Sequence, residues 1–516
     1  MQFLDAVVIG SGFGGSINAL RLAESGQSVL VLERGRRYLP GEFPRDVRDT
    51  DALLWRYPQR ERSTGLYDIR FFSSLAALVA SGVGGGSLVY ANINIRPDTS
   101  VFDDPRWPAE IGRPGLDPYY DRVARELGVA PLPKEIELPK RDAFRAAAER
   151  SGQLVFDPDQ AVSWSDPGEA GRERCQLVAE CEFGCQHGAK NSLDFNYLAA
   201  AERHGAEVRT GALATGIEPC EHGYRVRYRD VHSGEQRAVE ASRVVLAAGT
   251  LGTNELLLRC RDVDRTLPDL SPRLGHGYSA NGDFLGSIVG SEIDLDPWHG
   301  PDVTSVISYF DGEPPFTLAA PTYNRAVMAV LTSLGQGKGR LSRPLAGLLW
   351  PLLGRLLPLA LRLGLLSKPL RVPWRAPADP DRTTFLFAIG RDDAGGVLRL
   401  RRGRLDLEWD YAARNQSLVE GMTAAMTEVN REYGGSFSPL FTWLLFRRIA
   451  TVHSLGGCQL ADSPERGVVS NDGEAFAYPN LFIADGSVVP TSIGFHPAMT
   501  ISALAERTAE RIVARA

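Results

Sequence analysis

The chain has 516 residues, 43% of them apolar and 23% charged, an ordinary soluble-globular composition long enough for two large domains with real cores. Its formal net charge of −6 gives no reason to expect nucleic acid as a partner. Six Cys are too few for a disulfide framework in a chain this long. With a first strand expected from about residue 4 there is no room for a leader peptide, which makes a cytoplasmic location the expectation.

The first informative stretch opens the chain. Ala6 to Ile9 reads as a short buried strand and runs straight into Gly10-Ser11-Gly12-Phe13-Gly14-Gly15. Ile17, Leu20, Leu22 and Ala23 then recur at roughly helical spacing, and a second apolar run, Val29 to Leu32, ends in Glu33. Strand, glycine turn, helix, strand and acid in this order form a dinucleotide-binding βαβ unit. Gly10 allows the tight turn, Gly12 lets backbone approach a pyrophosphate, and Gly15 lets the helix pack close to the strand. The helix N-terminus offers unpaired N–H groups to phosphate. Glu33, 23 residues after Gly10, is placed to accept from ribose hydroxyls.

Residues 36–80, rich in Arg, Pro and aromatics, read as a covering excursion. Gly82, Gly84, Gly85 and Gly86 then precede Ser87 and a strand-like run from Leu88 to Ile95, through Tyr90. Glycines this dense let a backbone lie flat against a planar or phosphorylated group. Residues 101–170 are mixed helix and loop. Cys175, Cys181 and Cys185, followed by His187, invite a metal reading. The spacing lacks a second close pair, so reduced structural thiols are expected and no metal.

From about Leu193 the α/β pattern returns. A helix from Phe195 to Arg203 leads to strands at Glu207–Thr210 and Leu213–Ile217, then a meander of Tyr224–Tyr228 and Gln236–Ala241. The run from Arg243 to Leu246 passes through Ala247, Ala248 and Gly249 into a helix over Asn254–Arg259, small residues that again suit a close cofactor approach. Further on, Phe385–Ile389, Val397–Leu400 and Leu405–Trp409 read as strands of one meander. The C-terminal part carries Thr451-Val452-His453-Ser454-Leu455-Gly456-Gly457, then Asn480-Leu481-Phe482-Ile483-Ala484-Asp485-Gly486, then Gly494-Phe495-His496-Pro497 and a last helix over Thr500–Ala514. Two of only eight His thus sit in short glycine- and proline-bounded turns.

Through the first glycine motif, GVGGGSLV, GCxxGAK, LAAGTLGT, HSLGG and NLFIADGSVVP, the sequence resembles the glucose–methanol–choline (GMC) oxidoreductases, in their cholesterol oxidase-like branch, over nearly its full length. The resemblance implies FAD as cofactor and a fold of α/β class (α+β overall). A Rossmann-type FAD-binding domain would be assembled from residues 1–100, 190–290 and 450–516. The substrate domain, with a mostly antiparallel sheet, would comprise 101–189 and 291–449. It implies that His453 takes the substrate hydroxyl proton while hydride leaves for flavin N5, and that His496 hydrogen-bonds the substrate oxygen. Cofactor contacts are implied at Gly10, Gly12, Phe13, Gly14, Gly15, Glu33, Gly84, Gly85, Gly86, Ser87, Tyr90, Ala248, Gly249, His496 and Pro497. Asp485 and Gly486 match the segment near ribitol and pyrophosphate, and Ala214 the backbone contact to adenine. His496 stands where cholesterol oxidases usually carry Asn, and Tyr90 where the better-known ones carry Asn beside the flavin. A neutral imidazole is suited to accept a proton near neutral pH, and a second can steady the developing alkoxide.

The substrate class rests on the stretch 335–378. Pro344, Pro351 and Pro358 recur within a Leu-rich run that Arg355 and Arg362 interrupt, too broken for an ordinary transmembrane helix. Between Glu313 and Asp379 no acidic residue occurs, against nine Lys or Arg. That composition fits a hydrophobic lid, or an interfacial segment over 341–370 drawn to anionic lipid. Both favour an apolar, sterol-like or long-chain alcohol over a sugar, with electrons passing to oxygen or another acceptor. Two rival readings stand beside it: a flavoenzyme with a non-oxidative net reaction (an isomerase or biosynthetic tailoring enzyme), and a membrane-surface binding protein with structural FAD.

Overall fold

The computed structural model describes residues 3–324, 343–363 and 379–515. The two flanks of the apolar basic stretch, 335–342 and 364–378, lie outside the described residues.

A seven-stranded sheet carries the glycine motifs. Its order is Glu207–Arg209, Val29–Leu32, Phe3–Ile9, Gln236–Leu246, Gly223–Asp230 and Ala212–Cys220, with Leu481–Ile483 paired to the end of Gln236–Leu246. The pairs among Glu207–Arg209, Val29–Leu32, Phe3–Ile9, Gln236–Leu246 and Leu481–Ile483 are parallel, and the last two strands add an antiparallel meander. Val7, Val8, Val31, Val244 and Val245 are completely buried, as parallel strands covered on both faces require. The helix Phe13–Glu24 packs with the C-terminal helix Ala498–Val513 and with Tyr197–Arg203. Arg21 clamps the buried Glu506 between them at 2.7 Å.

Three expectations change in the structure. The runs Gln236–Ala241 and Arg243–Leu246 form one continuous strand, antiparallel to Gly223–Asp230 along its first half and parallel to Phe3–Ile9 along its second. The run Leu88–Ile95 is not a strand: a 3-10 turn occupies Gly85–Leu88 and only Ile93–Asn94 pairs. Left-handed backbone at Gly84 (φ 106°), Gly85 (φ 53°) and Asn92 (φ 63°) breaks the extended conformation that the apolar residues alone would favour. The expected single meander after residue 384 is divided. Thr383–Gly390 lies in a six-stranded antiparallel sheet with Phe284–Val289, Phe316–Ala319, Val306–Ser308, Leu154–Phe156 and Ser436–Pro439, whereas Gly396–Arg401 and Arg404–Glu408 pair with His276–Tyr278. Gly390 shows what sits on the six-stranded sheet, since a Cβ there would lie 2.4 Å from Met422 of the helix Gln416–Tyr433.

A smaller sheet joins Tyr67–Phe71, Leu75–Ala80 and Ile449–Thr451. Against it lies the helix Arg343–Arg362, which runs on through Pro351 and Pro358. Trp350 is buried there, donating from Nε1 to the Phe72 carbonyl at 2.7 Å, with Phe71 and Phe446 each 5.4 Å away. Leu352, Leu356, Leu359 and Leu363 are exposed. No helix among the described residues is long and apolar enough to cross a membrane.

Candidate active site

The glycine motifs converge. A Cβ on Gly14 would lie 1.8 Å from the Ala484 carbonyl oxygen, so the absence of a side chain brings the first helix onto the segment that ends in Asp485. Gly85, with φ +53°, has its hypothetical Cβ 2.7 Å from the Gly12 Cα, so the two glycine loops abut. Other glycines face open space. A Cβ on Gly12 or Gly86 would meet nothing closer than 4.0 Å, and one on Gly249 nothing within 4 Å. Gly249 is a glycine for its left-handed backbone (φ 76°), whereas at Gly12 and Gly86 neither a close contact nor a positive φ demands one, which leaves room beside their backbone. Around them Phe13, Tyr90, Ala214 and Ala248 are half-buried. Phe13 and Tyr90 meet edge to face at 5.5 Å, and Lys190 lies 4.7 Å from the Tyr90 ring centre while donating to the Tyr90 carbonyl at 2.7 Å. Ala248 caps the helix Gly249–Leu258 without a side-chain bond, and the Gly249 N–H already donates to the Asp485 carboxylate.

Other expected contacts are already engaged inside the protein. Glu33 Oε2 accepts from the Ser11 hydroxyl at 2.6 Å and the Ser11 N–H at 3.1 Å, and Oε1 from the Gly35 N–H at 2.8 Å. Oε1 keeps one acceptor position for a ribose hydroxyl. Ser87 is buried, donating to the Gly84 carbonyl and accepting from the Leu193 N–H. Asp485 accepts from the N–H and hydroxyl of Ser487 and from the Thr253 hydroxyl, and burial pushes its carboxyl above the usual range. Gly10, Gly84 and Gly486 lie in the turns beside these groups, and Gly15, inside the first helix, lets that helix pack on the Gly10 carbonyl. Among the described residues no group of three or more His, Cys, Asp or Glu is arranged to hold a metal, and Cys175, Cys181 and Cys185 are free thiols.

The two histidines come together. His453 follows the strand Ile449–Thr451, and His496 lies in the loop before the last helix, next to the buried Pro497. Their ring centres are 5.2 Å apart at 79°. Phe387, on the strand Thr383–Gly390, stacks on His453 at 5.7 Å and meets His496 edge-on at 6.2 Å. Burial, with His453 adding to it, holds His496 well below the usual imidazole range, so it is uncharged at neutral pH.

Three residues that the sequence reading missed hold this pair. Asp283, completely buried, has Oδ1 at hydrogen-bond distance, 2.8 Å, from His453 Nδ1. Its Oδ2 accepts from the Thr451 hydroxyl at 2.9 Å, the Val452 N–H at 2.8 Å and the His453 N–H at 3.2 Å. Asn281 donates to the Phe495 carbonyl at 2.7 Å and accepts from the N–H groups of Ile493 and Gly494 at 2.9 and 3.0 Å, which fixes the loop bearing His496. Asp392 in turn accepts from the Ser279 hydroxyl and the N–H groups of Ala280, Gly282 and Ala394; burial outweighs these bonds and pushes its carboxyl up to about 6. The only local sign of this clamp in the sequence is the turn-forming Asn281-Gly282-Asp283.

With fold and site in view, likeness to known proteins can be placed. The profiles described as GMC oxidoreductase match residues 5–260 and 416–505. A cholesterol oxidase of Acinetobacter baumannii is 29% identical over 99% of this chain and 94% of its own length. One of Mycobacterium tuberculosis (strain ATCC 25618 / H37Rv) is 32% identical over 98% and 90%. A long-chain-alcohol oxidase of Arabidopsis thaliana is 25% identical over 99% and 67%. Among solved structures, pyridoxine 4-oxidase superposes with a TM-score of 0.62 at 17% identity, covering 98% of this chain and 99% of that one, a likeness of fold alone. The chain belongs to the GMC oxidoreductase family.

Proposed function

We propose that this protein oxidises a hydrophobic alcohol, sterol-like or long-chain, to its carbonyl compound with FAD as the hydride acceptor. The observation that carries this reading is the His453–His496 pair, 5.2 Å apart over Phe387, with His453 Nδ1 2.8 Å from the Asp283 carboxylate. His453 Nε2 accepts the hydroxyl proton, and His496, neutral and buried, hydrogen-bonds the same oxygen. Phe387 seats the apolar carbon frame and helps exclude water. The glycine loops around Gly12 and Gly85, the Ala248–Gly249 helix start and the Asp485–Gly486 segment hold the cofactor. When bound, FAD supplies a two-electron acceptor for the hydride that leaves the carbinol carbon. Membership of the family supports alcohol oxidation, and relatives named cholesterol oxidase and long-chain-alcohol oxidase support the apolar substrate class.

Anaerobic titration with sterols, long-chain alcohols and sugars tests this, the flavin absorbance serving as readout. Bleaching by sterols or long-chain alcohols is expected, with recovery of the oxidised spectrum in air if oxygen is the acceptor. Bound flavin that none of these reduces, or that sugars alone reduce, overturns the proposal.

The exposed leucines of the helix Arg343–Arg362, beside the exposed Arg355, favour a second reading, contact with an anionic membrane from which such a substrate would be drawn.

A further inference from the structure

We propose that Asp283 is the positioning residue of the reaction: it sets which nitrogen of His453 is bare, and the turn it belongs to fixes both histidines from one place. This rests on the alcohol-oxidising reading for the reaction but not for the tautomer. Asp283 Oδ1 lies 2.8 Å from His453 Nδ1 while Oδ2 accepts from three donors; a side chain that accepts throughout places the imidazole proton on Nδ1. Nε2 is then the lone pair, the atom that must take the hydroxyl proton. Proton and hydride leave the alcohol together as a carbonyl forms, with FAD as the oxidant, and the imidazolium produced is held against a buried carboxylate. Asn281 and Asp283, on a single turn, each hold one histidine-bearing loop, so the spacing of the two rings follows from the geometry of residues 280–283.

The carboxylate's four bonds define the test. Asp283→Asn has two orientations. With its carbonyl toward Nδ1, the amide N–H groups face three donors, from Thr451, Val452 and His453. With its carbonyl toward those donors, three bonds survive and the amide N–H groups point at His453 Nδ1. The second keeps more bonds, and it drives the imidazole proton to Nε2. The loop therefore stays in place while the base is replaced by a donor.

The experiment is a histidine-selective ¹⁵N NMR spectrum of the flavin-loaded protein without substrate, assigned with His453→Gln, followed by stopped-flow flavin reduction. The wild type is expected to carry the His453 proton on Nδ1 and Asp283→Asn on Nε2, with the flavin spectrum retained. The reduction rate of the variant is expected to fall on the order of 10²- to 10⁴-fold while the substrate concentration for half-maximal rate moves far less. A wild-type His453 protonated on Nε2 overturns the proposal, as does a variant that keeps the wild-type tautomer or reduces its flavin at an unchanged rate. If Asp283→Asn does not fold, the wild-type tautomer alone decides. Failure of every alcohol to bleach the flavin, with the tautomer as stated, removes the alcohol reading and leaves the assignment of Asp283 standing.

Discussion

At the scale of single residues, His453 and His496 differ in their surroundings, and the roles proposed for them follow that difference. His453 keeps a partly exposed side chain against a buried carboxylate, whereas His496 is buried with its Nδ1 unpaired among the described residues. His453→Ala is expected to retain flavin and to lose substrate-driven flavin reduction by at least the 10²- to 10⁴-fold that general acid–base catalysis contributes, measured by anaerobic stopped flow. The effect of pH follows from His496. Its folded pKa lies below that of the unfolded chain, about 6.5, so the unfolded state binds the proton more readily as pH falls. The stability tied to this group is full above about pH 6.5 and is lost below it. Thermal midpoints are therefore expected to drop more steeply on acidification in the wild type than in His496→Gln. Both histidines stood out in the sequence because they are scarce in the chain and sit in short turns rich in Gly and Pro. Asp283 was not, since it stands 170 positions before His453 and only the packing of two different sheets brings them together.

At the scale of elements, local chemistry decided what could be read. The opening strand, glycine turn, helix and strand were legible because apolar period and turn residues agree over a short span. The run after Gly86 misled because an apolar alternation states which side chains are buried, not the sign of φ at Gly85 or Asn92. The long strand Gln236–Leu246 could not be read as one piece, since its halves meet different partners. The helix Arg343–Arg362 illustrates two faces with separate duties. Trp350→Ala is expected to cost about 3–5 kcal/mol at this contact, since it removes a buried ring and its bond to Phe72, and to show first as faster proteolysis within 343–363. Replacing Leu352, Leu356 and Leu359 together by Glu touches the exposed face instead. That variant is expected to bind flavin as the wild type does and to lose sedimentation with anionic liposomes. Equal sedimentation of the two proteins would remove the membrane reading.

At the scale of the whole molecule, the cradle proposed to hold the cofactor is drawn from the two ends of the chain. Gly14 sits in van der Waals contact with Ala484, and the strand Leu481–Ile483 pairs beside Gln236–Leu246. Gly14→Ala is accordingly expected to lower bound flavin per chain, read from the ratio of flavin to protein absorbance, because the added methyl would sit 1.8 Å from a backbone oxygen. The same pairing has a meaning in time. A ribosome making this protein releases the first nucleotide-binding strand long before the strand that completes its sheet, so the nascent chain carries an unfinished edge through almost all of synthesis. A chain halted before Leu481 is expected to emerge folded in parts yet unable to retain flavin, and cofactor loading becomes an event that follows translation rather than one that accompanies it.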